Sequence, residues 1–469
     1  MTAFIGRKRE LTAMERLYRQ DGFQMTVMYG RRRVGKSTLL KQFIQGKKAI
    51  YFTAVRNSAQ RNLERLSQRV MEVLAPQMTN LHFQSYDDVF AFLGQQCRDE
   101  RIIFIIDEFP YLAEQDPSLL SLLQNYIDSD WQEGKMYFFL CGSSVSFMED
   151  EVLSQKSPLF GRRTSQIRLL PFDYREAAEF VPSYSYEEKA IVYGVTGGVA
   201  KYLSLFNERE SLDTNLKQLF FDASGFLYEE PLNLLTQEFR NVALYNAIIE
   251  AVANGRTKMS EIADLTHMES AKVAYAMNNL VATGLIRREH AITDETNKKK
   301  TRYVLADQMF RFWYQFVAPF TDIIDFGRGD IHYEKIVKPR LSGYMGDVFE
   351  DMCRYYTLLL GTEDKLDCMV TRVGKWWGTN PAKREETDID VVGLDLMEHK
   401  AVLGECKYKN ELLDKKIFDQ LRERNGLIDH HYRVVQFLLF SKSGFSDWIL
   451  EHQKDESIYP VTLEQMYQD

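Results

Sequence analysis

Nine consecutive residues near the N-terminus constrain the fold more than any other feature of this chain. The first eight of them fit the spacing G-x-x-x-x-G-K-[ST], and a threonine follows. The run consists of Gly30, Arg31, Arg32, Arg33, Val34, Gly35, Lys36, Ser37 and Thr38. The apolar residues 25–29 before it predict a short buried strand, and residues 39–44 after it predict a helix. A strand, a glycine loop and a helix N-terminus together form an anion site, so the sequence predicts an α/β domain with a P-loop-type parallel sheet.

The same loop contains the side chains that a nucleoside triphosphate and its metal require. Gly30 and Gly35 let backbone N–H groups close on the phosphates. We expect Lys36 to reach the β and γ oxygens of ATP and the Ser37 hydroxyl to ligate Mg²⁺. The alternative is a chance match in a surface loop, which the flanking strand and helix patterns oppose.

A second motif follows an apolar run at residues 102–106, which ends in Asp107 and Glu108. Such a run is typical of a fully buried parallel strand, and ligands bind at the C-terminal ends of these strands. We expect Asp107 to hold Mg²⁺ through its water shell and Glu108 to polarise the attacking water as general base. A strand capped by solvated acids is the alternative.

Two further segments offer groups for the phosphates. Ser143, with Ser144 as the reserve, follows the strand predicted at residues 136–141 and can contact the γ-phosphate or the attacking water. A simple turn is an equal alternative at this position. Arg162 and Arg163 precede the last predicted strand, where a guanidinium can stabilise charge on the transferring phosphoryl group. Two arginines in a solvated loop are the alternative.

Together these segments resemble the prokaryotic, archaeal-type AAA+ ATPases related to the STAND group. The similar stretches are Tyr-Gly-Arg-Arg-Arg-Val-Gly-Lys-Ser-Thr-Leu-Leu, Ile-Ile-Asp-Glu-Phe-Pro-Tyr-Leu, Gly-Ser-Ser, Ser-Pro-Leu-Phe-Gly-Arg-Arg and the opening Phe-Ile-Gly-Arg-Lys-Arg-Glu-Leu at residues 4–11. The resemblance implies an ATP-hydrolysing core at residues 1–172 and a helical lid at residues 173–240. It also implies that the opening segment leads into the nucleotide site, often against the adenine, and that Arg162 or Arg163 senses phosphate in cis or in trans.

One lid segment departs from the resembled family. The family often has Gly-Gly-x-Pro there, whereas this chain has Gly197, Gly198, Val199 and Ala200. Proline would fix the start of the helix and contact the base. The resemblance therefore does not carry a nucleotide-sensing role for this lid.

Residues 241–308 change to a pattern of three short helices and two strands. The helices are predicted at residues 244–253, from 258 onward and at 269–282, and the strands at residues 284–289 and 301–305. This order predicts a winged helix-turn-helix, with Lys298, Lys299 and Lys300 at the tip of the wing. DNA contact is one interpretation, and a protein-binding or lid-transmission module is the other, because the third helix carries a single cation, Lys272.

An aromatic hinge or linker at residues 309–345 is expected to lead into a last domain at residues 346–469. Glu350 lies on a predicted helix, Asp390 on one predicted strand, and Glu405 and Lys407 on the next. Side-chain alternation brings Asp390, Glu405 and Lys407 together if the two strands are neighbours. Two carboxylates can hold Mg²⁺ or Mn²⁺, and a lysine can orient or activate water for phosphodiester attack.

This order resembles the PD-(D/E)xK nuclease superfamily, which implies a restriction-endonuclease-like α/β domain. The resemblance makes Asp390 and Glu405 metal ligands, Lys407 a catalytic group, and Glu350 a residue that completes the site. An inactive nuclease-like domain that binds DNA or a protein partner is the alternative.

Composition narrows the class of protein. At 469 residues, the chain is long enough for about three domains. A net charge of −8 argues against coating of nucleic acid by bulk charge, although it allows a local basic patch. The five cysteines are scattered without a C-x-x-C pair, which predicts a reduced, cytoplasmic protein, and no apolar run is long enough for a membrane span.

Two hypotheses of function follow from these features. In the first, the chain is an ATP-dependent DNA-processing or DNA-defence enzyme in which ATP gates cleavage at the C-terminal carboxylates. In the second, it is a nucleotide switch that binds DNA or a protein partner and cuts nothing. Self-association is open in both, because AAA+-type cores commonly form rings whereas STAND relatives can remain closed monomers.

Overall fold

The apolar strands around the glycine loop form a five-stranded sheet in which every neighbouring pair is parallel. Its strands are β1 (Gln24–Tyr29), β2 (Ala49–Thr53), β3 (Ile103–Asp107), β4 (Tyr137–Gly142) and β5 (Ser165–Arg168). Their order across the sheet is β2-β3-β4-β1-β5. Because all strands run the same way, the segments that follow β1, β3 and β4 leave the same edge of the sheet. The predicted P-loop-type α/β sheet is confirmed.

Helices cover both faces of this sheet. They are α1 (Lys8–Arg19), α2 (Lys36–Phe43), α3 (Ala59–Leu74), α4 (Tyr86–Gln96), α5 (Pro110–Ala113), α6 (Leu119–Tyr126) and α7 (Val145–Phe147). Apolar residues of α3, α4 and α6 pack on one face, and those of α1 and α2 pack on the other. This double cover explains why β1, β3 and β4 are buried along their whole length.

The computed structural model describes residues 4–78, 82–294 and 301–468, and it comprises two units. The first unit is Met1–Phe172 with Val199–Lys201, and the second is Asp173–Gly198 with Tyr202–Asp469. The chain after β5 begins with helices α8 (Tyr174–Ala178), α9 (Tyr186–Thr196), α10 (Ala200–Leu203), α11 (Leu212–Phe220) and α12 (Glu230–Glu238).

Three helices and an antiparallel pair of strands follow. They are α13 (Val242–Ala253), α14 (Met259–Thr266), α15 (Ser270–Ala282), β6 (Ile286–Glu289) and β7 (Arg302–Leu305). The three lysines predicted at the tip, Lys298, Lys299 and Lys300, lie outside the described residues.

Helices continue through the aromatic segment that the sequence presents as a hinge. They are α16 (Gln308–Phe316), α17 (Thr321–Asp325), α18 (Gly329–His332) and the long α19 (Lys338–Thr362). Helix α19 begins before Gly346, the residue at which the sequence pattern opens the last domain.

A mixed five-stranded sheet completes the second unit. Its elements are β8 (Arg372–Asn380), β9 (Glu385–Asp395), β10 (Lys400–Lys407), α20 (Lys415–Glu423), β11 (Arg433–Ser441), α21 (Asp447–Glu451) and β12 (Ile458–Thr462). The order is β12-β11-β10-β9-β8, with β8–β9 and β9–β10 antiparallel and the other pairs parallel. Within the described ranges, no helix combines the length and apolar character that a membrane crossing needs. All five cysteines are buried and unbridged.

Candidate functional site

The loop after β1 is shaped by two glycines in the left-handed region of φ. Gly30 has φ +155°, and a Cβ placed there would lie 2.2 Å from the carbonyl oxygen of Leu169. No other residue fits without moving that backbone. Gly35 has φ +97° and stands immediately before α2, so the loop turns directly into the helix N-terminus. The first N–H groups of α2 have no partner within their own helix and are available to an anion.

Lys36 opens α2 with its side chain folded back across the loop. Its Nζ donates to the carbonyl oxygens of Gly30 at 2.7 Å and Arg31 at 3.0 Å. Burial lowers the pKa of Lys36. The ammonium group of Lys36 is therefore bound by loop carbonyls, with which the β and γ phosphate oxygens of ATP would compete as acceptors.

Asp107, at the end of β3, receives hydrogen bonds from a serine, a tyrosine and a backbone amide. Its Oδ2 accepts from Ser37 Oγ at 2.8 Å and from the Tyr51 hydroxyl at 2.5 Å, and its Oδ1 accepts from the amide of Glu108 at 3.0 Å. The two predicted metal ligands, Ser37 and Asp107, are thus in direct contact. The sequence analysis missed Tyr51, because a tyrosine within a predicted strand is usually interpreted as a core residue.

Glu108 adopts φ +56°, in the left-handed region, immediately after the strand. Its Oε2 accepts from Ser143 Oγ at 2.6 Å and from the Ser143 amide at 3.3 Å. Ser143 was expected to contact phosphate or water, and in this structure it contacts the predicted base. Ser144, the reserve residue, precedes α7 and makes no side-chain cap.

The remaining loop residues are built into the surrounding fold. Arg32 donates through Nη2 to the Tyr111 hydroxyl at 2.8 Å. Arg33 has φ +71°, and its carbonyl oxygen accepts from the Lys201 amide at 3.1 Å. Ala200 lies beside Gly35, 3.4 Å from where a Cβ on that glycine would be. The segment that lacks the family's proline therefore still packs on the phosphate loop within the first unit.

The four C-terminal residues singled out from the sequence lie around β9 and β10. Asp390 Oδ2 accepts from the Cys406 amide at 3.0 Å, which places this carboxylate between Glu405 and Lys407 along β10. Burial, with the charges of Glu405 and Glu350, raises the pKa of Asp390 well above its usual range. These carboxylates are close enough to oppose one another's ionisation.

Basic groups hold two of these carboxylates. Glu405 accepts from Lys407 Nζ at 2.5 Å and from Arg424 Nη1 at 2.7 Å, one on each oxygen. Glu350 accepts from Lys375 Nζ at 3.1 Å and from Arg354 Nη1 at 3.3 Å.

Sequence reasoning missed all three added cations. The contact of Arg354 could have been predicted, because it lies one helical turn after Glu350. No sequence pattern indicated the contacts of Arg424 and Lys375. Across the described residues, no group of three or more His, Cys, Asp or Glu is arranged to hold a metal ion.

Comparison with known proteins supports the assignment of the first unit. Residues 4–206 match the model of an ATPase domain found predominantly in Archaea.

The chain therefore contains an ATPase domain of the P-loop type.

Residues 313–421 of this ATPase match a second model, of archaeal and bacterial proteins of unknown function. The uncharacterized protein MJECL04 of Methanocaldococcus jannaschii is 29% identical over 451 residues, which is 94% of this chain and 97% of that protein. The uncharacterized ATP-binding protein MJ0423 of the same organism is 44% identical over 45 residues, which is 10% of this chain and 76% of that protein.

A solved structure has the same fold in part. The Walker-type ATPase PABY2304 of Pyrococcus abyssi aligns with a TM-score of 0.52 at 21% sequence identity. The alignment covers 66% of this ATPase and 96% of that chain. At this identity the similarity concerns the fold alone.

Arg7, from the opening segment, contacts the phosphate loop in this ATPase. Its buried guanidinium donates through Nη2 to the carbonyl oxygens of Val34 at 3.1 Å and Leu170 at 2.7 Å. It also lies over the ring of Phe172, 3.9 Å from the centroid. Sequence reasoning placed this segment near the nucleotide by resemblance only. The structure joins it to the loop itself through Val34.

Of the two predicted phosphate sensors, Arg162 is engaged elsewhere in this structure. Arg162 donates through Nε and Nη2 to both oxygens of Asp128, at 2.7 and 2.6 Å, and through Nη1 to the Pro158 carbonyl at 2.8 Å. A phosphate contact by Arg162 would therefore require the Asp128 pair to open. Arg163 is half-buried in the loop before β5.

Strands β6 and β7 are held against the long helix and the mixed sheet within the second unit. Arg287 makes a two-pronged pair with Asp351 of α19, at 3.1 and 3.0 Å. The amide of Ile292 donates to the Lys375 carbonyl at 3.0 Å, and the Ile292 side chain belongs to the core of the mixed sheet. The segment predicted to form a wing therefore contacts the long helix α19 and the mixed sheet.

Proposed function

We propose that this ATPase couples its nucleotide state to DNA binding or processing, and that its C-terminal domain cleaves phosphodiester bonds with the help of a divalent cation. The observation that carries the cleavage proposal is the meeting of Asp390 with Glu405 and Lys407 on neighbouring strands. Two carboxylates and a lysine at one site are the groups that metal-assisted hydrolysis of a phosphodiester uses.

The donor set of this cluster fits a hard cation. Asp390 is 8% exposed, and its carboxylate is opposed by Glu405 and Glu350. A divalent cation would relieve that opposition and favour the ionised form of Asp390. Because the described residues contain no three-residue ligand group, water and backbone oxygens would complete the coordination shell.

Within the cluster, we assign distinct tasks to the protein groups. Asp390 and Glu405 would hold Mg²⁺ or Mn²⁺, which when bound polarises the phosphodiester. Lys407 would exchange its bond to Glu405 for the attacking water and orient it. Glu350 would keep Lys375 and Arg354 in place beside the substrate phosphate.

At the nucleotide site, we assign Lys36 to the β and γ phosphates and the loop amides of residues 30–38 to the phosphate chain. Ser37 and Asp107 would hold Mg²⁺, which when bound neutralises charge on the phosphate oxygens. Glu108 would take the proton of the attacking water, and the hydrogen bond from Ser143 would orient its carboxylate. Either Arg162 or Arg163 would contact the γ-phosphate.

The middle of the chain is proposed to be a winged helix-turn-helix, on the basis of helices α13 to α15 and the β6–β7 pair. Two polar side chains of α15 already have partners. Asn278 accepts from Arg288, and Asn279 donates to the Tyr245 hydroxyl. These contacts favour contact of α15 with the DNA backbone, or a packing role, over recognition of DNA bases by this helix.

One observation favours the second hypothesis, a switch that does not cut. Both oxygens of Glu405 are bound by cations, Lys407 and Arg424, which neutralise the carboxylate without a metal. In that case ATP binding and hydrolysis would control binding of DNA or a protein partner by the last domain.

Cleavage by the full-length protein separates the two hypotheses. We would incubate it with Mg²⁺ or Mn²⁺, with and without ATP, on plasmid, linear, branched and single-stranded DNA. The test variant is Glu405→Ala/Lys407→Ala, and the matched control is Lys415→Ala/Asp419→Ala, which removes a surface ion pair of α20 in the same domain. Cleavage that persists in the control and is lost in the test variant supports the nuclease. Absence of cleavage alongside ATP turnover supports the non-cutting switch.

A further inference from the structure

Tyr51 lies on the face of the sheet that α2 covers. It stands on β2 opposite Ile105 of β3, and side chains two residues apart on a strand share a face. Tyr51 therefore shares a face with Asp107, two residues beyond Ile105. Its ring packs against the cluster formed with α1 and α2, and its hydroxyl extends to the end of β3.

The Tyr51 hydroxyl and Ser37 share one acceptor. Both donate to Oδ2 of Asp107, at 2.5 and 2.8 Å, while the Glu108 amide donates to Oδ1 at 3.0 Å. A tyrosine hydroxyl is protonated at neutral pH, so Tyr51 is the donor in its hydrogen bond to the carboxylate.

Of these three hydrogen bonds to Asp107, metal binding would change only the one from Ser37. Ser37 is the residue that would turn its oxygen toward Mg²⁺. The hydrogen bonds from Tyr51 and from the Glu108 amide would then continue to fix the orientation of the Asp107 carboxylate. Groups that orient a metal-binding carboxylate commonly change metal affinity or activity by about 10- to 100-fold when they are removed.

We propose that Tyr51 is a positioning residue for the nucleotide-bound Mg²⁺: its hydroxyl holds the Asp107 carboxylate in the orientation that receives the metal's water shell. Tyr51 touches neither nucleotide nor metal in this scheme and acts through Asp107. The inference rests on the role proposed above for Asp107. The competing explanation is that Tyr51 only fills space against α2, in which case a phenylalanine would serve equally well.

Tyr51→Phe tests the proposal, because it keeps the ring and removes only the hydroxyl. Tyr18→Phe is the matched control, since Tyr18 packs against the same cluster from α1. Binding of a fluorescent ATP analogue to the full-length protein would be measured as Mg²⁺ is titrated, and again in excess EDTA. We expect Tyr51→Phe to need about 10- to 100-fold more Mg²⁺ for half-maximal effect. We expect its metal-free affinity to stay within about twofold of wild type, because the loop amides and Lys36 are untouched.

The outcome of these titrations would decide the matter. An unchanged Mg²⁺ titration in Tyr51→Phe, or an equal loss with and without metal, would overturn the inference. Asp107→Asn separates this failure from failure of the site assignment. If Asp107→Asn shifts the Mg²⁺ titration and Tyr51→Phe does not, only the role of Tyr51 is refuted. If neither shifts it, the assignment of Asp107 is refuted as well. Thermal melting within about 4 °C of wild type would show that Tyr51→Phe is folded.

Discussion

Replacing Arg7 by alanine is the most informative perturbation of the nucleotide-binding unit. The Arg7 side chain is 5% exposed and bonds to two carbonyl oxygens that belong to distant segments, Val34 in the phosphate loop and Leu170 after β5. Its guanidinium also covers the ring of Phe172. Alanine removes these three contacts, and the 3.6 Å ion pair with Glu10, and leaves both carbonyls without this donor.

The size of the effect follows from these contacts. A hydrogen bond involving a charged group contributes about 1.5–3 kcal/mol, and a desolvated cation–π contact contributes roughly 2 kcal/mol. Part of this sum is recovered by the water that reaches the carbonyls. We therefore expect a loss of about 3–5 kcal/mol, the range typical of breaking a buried charged pair. For a unit of this size, that lowers the melting temperature by roughly 6–20 °C.

Two further variants separate side-chain from backbone effects. Arg7 has φ +58°, a conformation that favours glycine. Arg7→Gly should therefore be less destabilised than Arg7→Ala by about 1 kcal/mol, although it loses the same contacts. Arg7→Lys keeps the charge and one of the two hydrogen bonds, so it should fall between alanine and wild type.

The assay is thermal unfolding of the full chain with and without MgATP, together with nucleotide binding. We expect Arg7→Ala to lower the transition of the nucleotide-binding unit and to weaken ATP binding, because Val34 is part of the phosphate loop. A melting temperature within about 2 °C of wild type would refute the argument, since it would mean that the carbonyls find equivalent partners at no cost.

Three other outcomes follow from the contacts described above. Glu108→Gln should retain ATP affinity and lose at least about 100-fold in turnover, because the amide cannot take the proton; near-normal hydrolysis in a single-turnover assay would remove Glu108 as the base. Ser143→Ala removes the 2.6 Å bond to Glu108 and should lower kcat about 10- to 100-fold with little change in KM; steady-state kinetics showing the loss in KM instead would point to substrate contact. Asp351 is a pH-sensitive support of the second unit. Burial alone would raise its pKa, but the guanidinium groups of Arg287 and Arg354 hold it at about 2. Its stabilising contribution of about 2 kcal/mol is present above about pH 4 and lost as the pH falls toward 2. Urea unfolding should therefore show wild type more stable than Asp351→Asn at pH 7, with the difference shrinking in acid; a constant difference across that range would contradict the ionic origin.

The nucleotide site could be predicted from the sequence alone, because its residues lie at short, fixed spacings. A phosphate loop needs glycines, a lysine and a hydroxyl at fixed separations, and the carboxylates of Asp107 and Glu108 stand at the end of an apolar strand. Each of these requirements acts over a few residues, so the pattern by itself predicted the α/β sheet and the residues at its edge. The pairing of Glu405 with Lys407 in the C-terminal cluster could be predicted for the same reason, since one residue separates them on a single strand.

Contacts between distant segments were decided only by the tertiary structure. Arg7 and the Leu170 carbonyl are 163 residues apart in the chain, and the partners Tyr51 and Asp107 are 56 apart. Their meeting depends on strand order and on helix packing, which no local pattern encodes. The same holds for the hydrogen bond from Arg424 to Glu405. Arg424 lies 19 residues from Glu405 in the chain, whereas Lys407, the other cation on this carboxylate, lies two residues away. The sequence by itself predicted which groups would do the chemistry, and the tertiary structure decided which groups orient them, because those orienting groups come from segments that only the fold brings together.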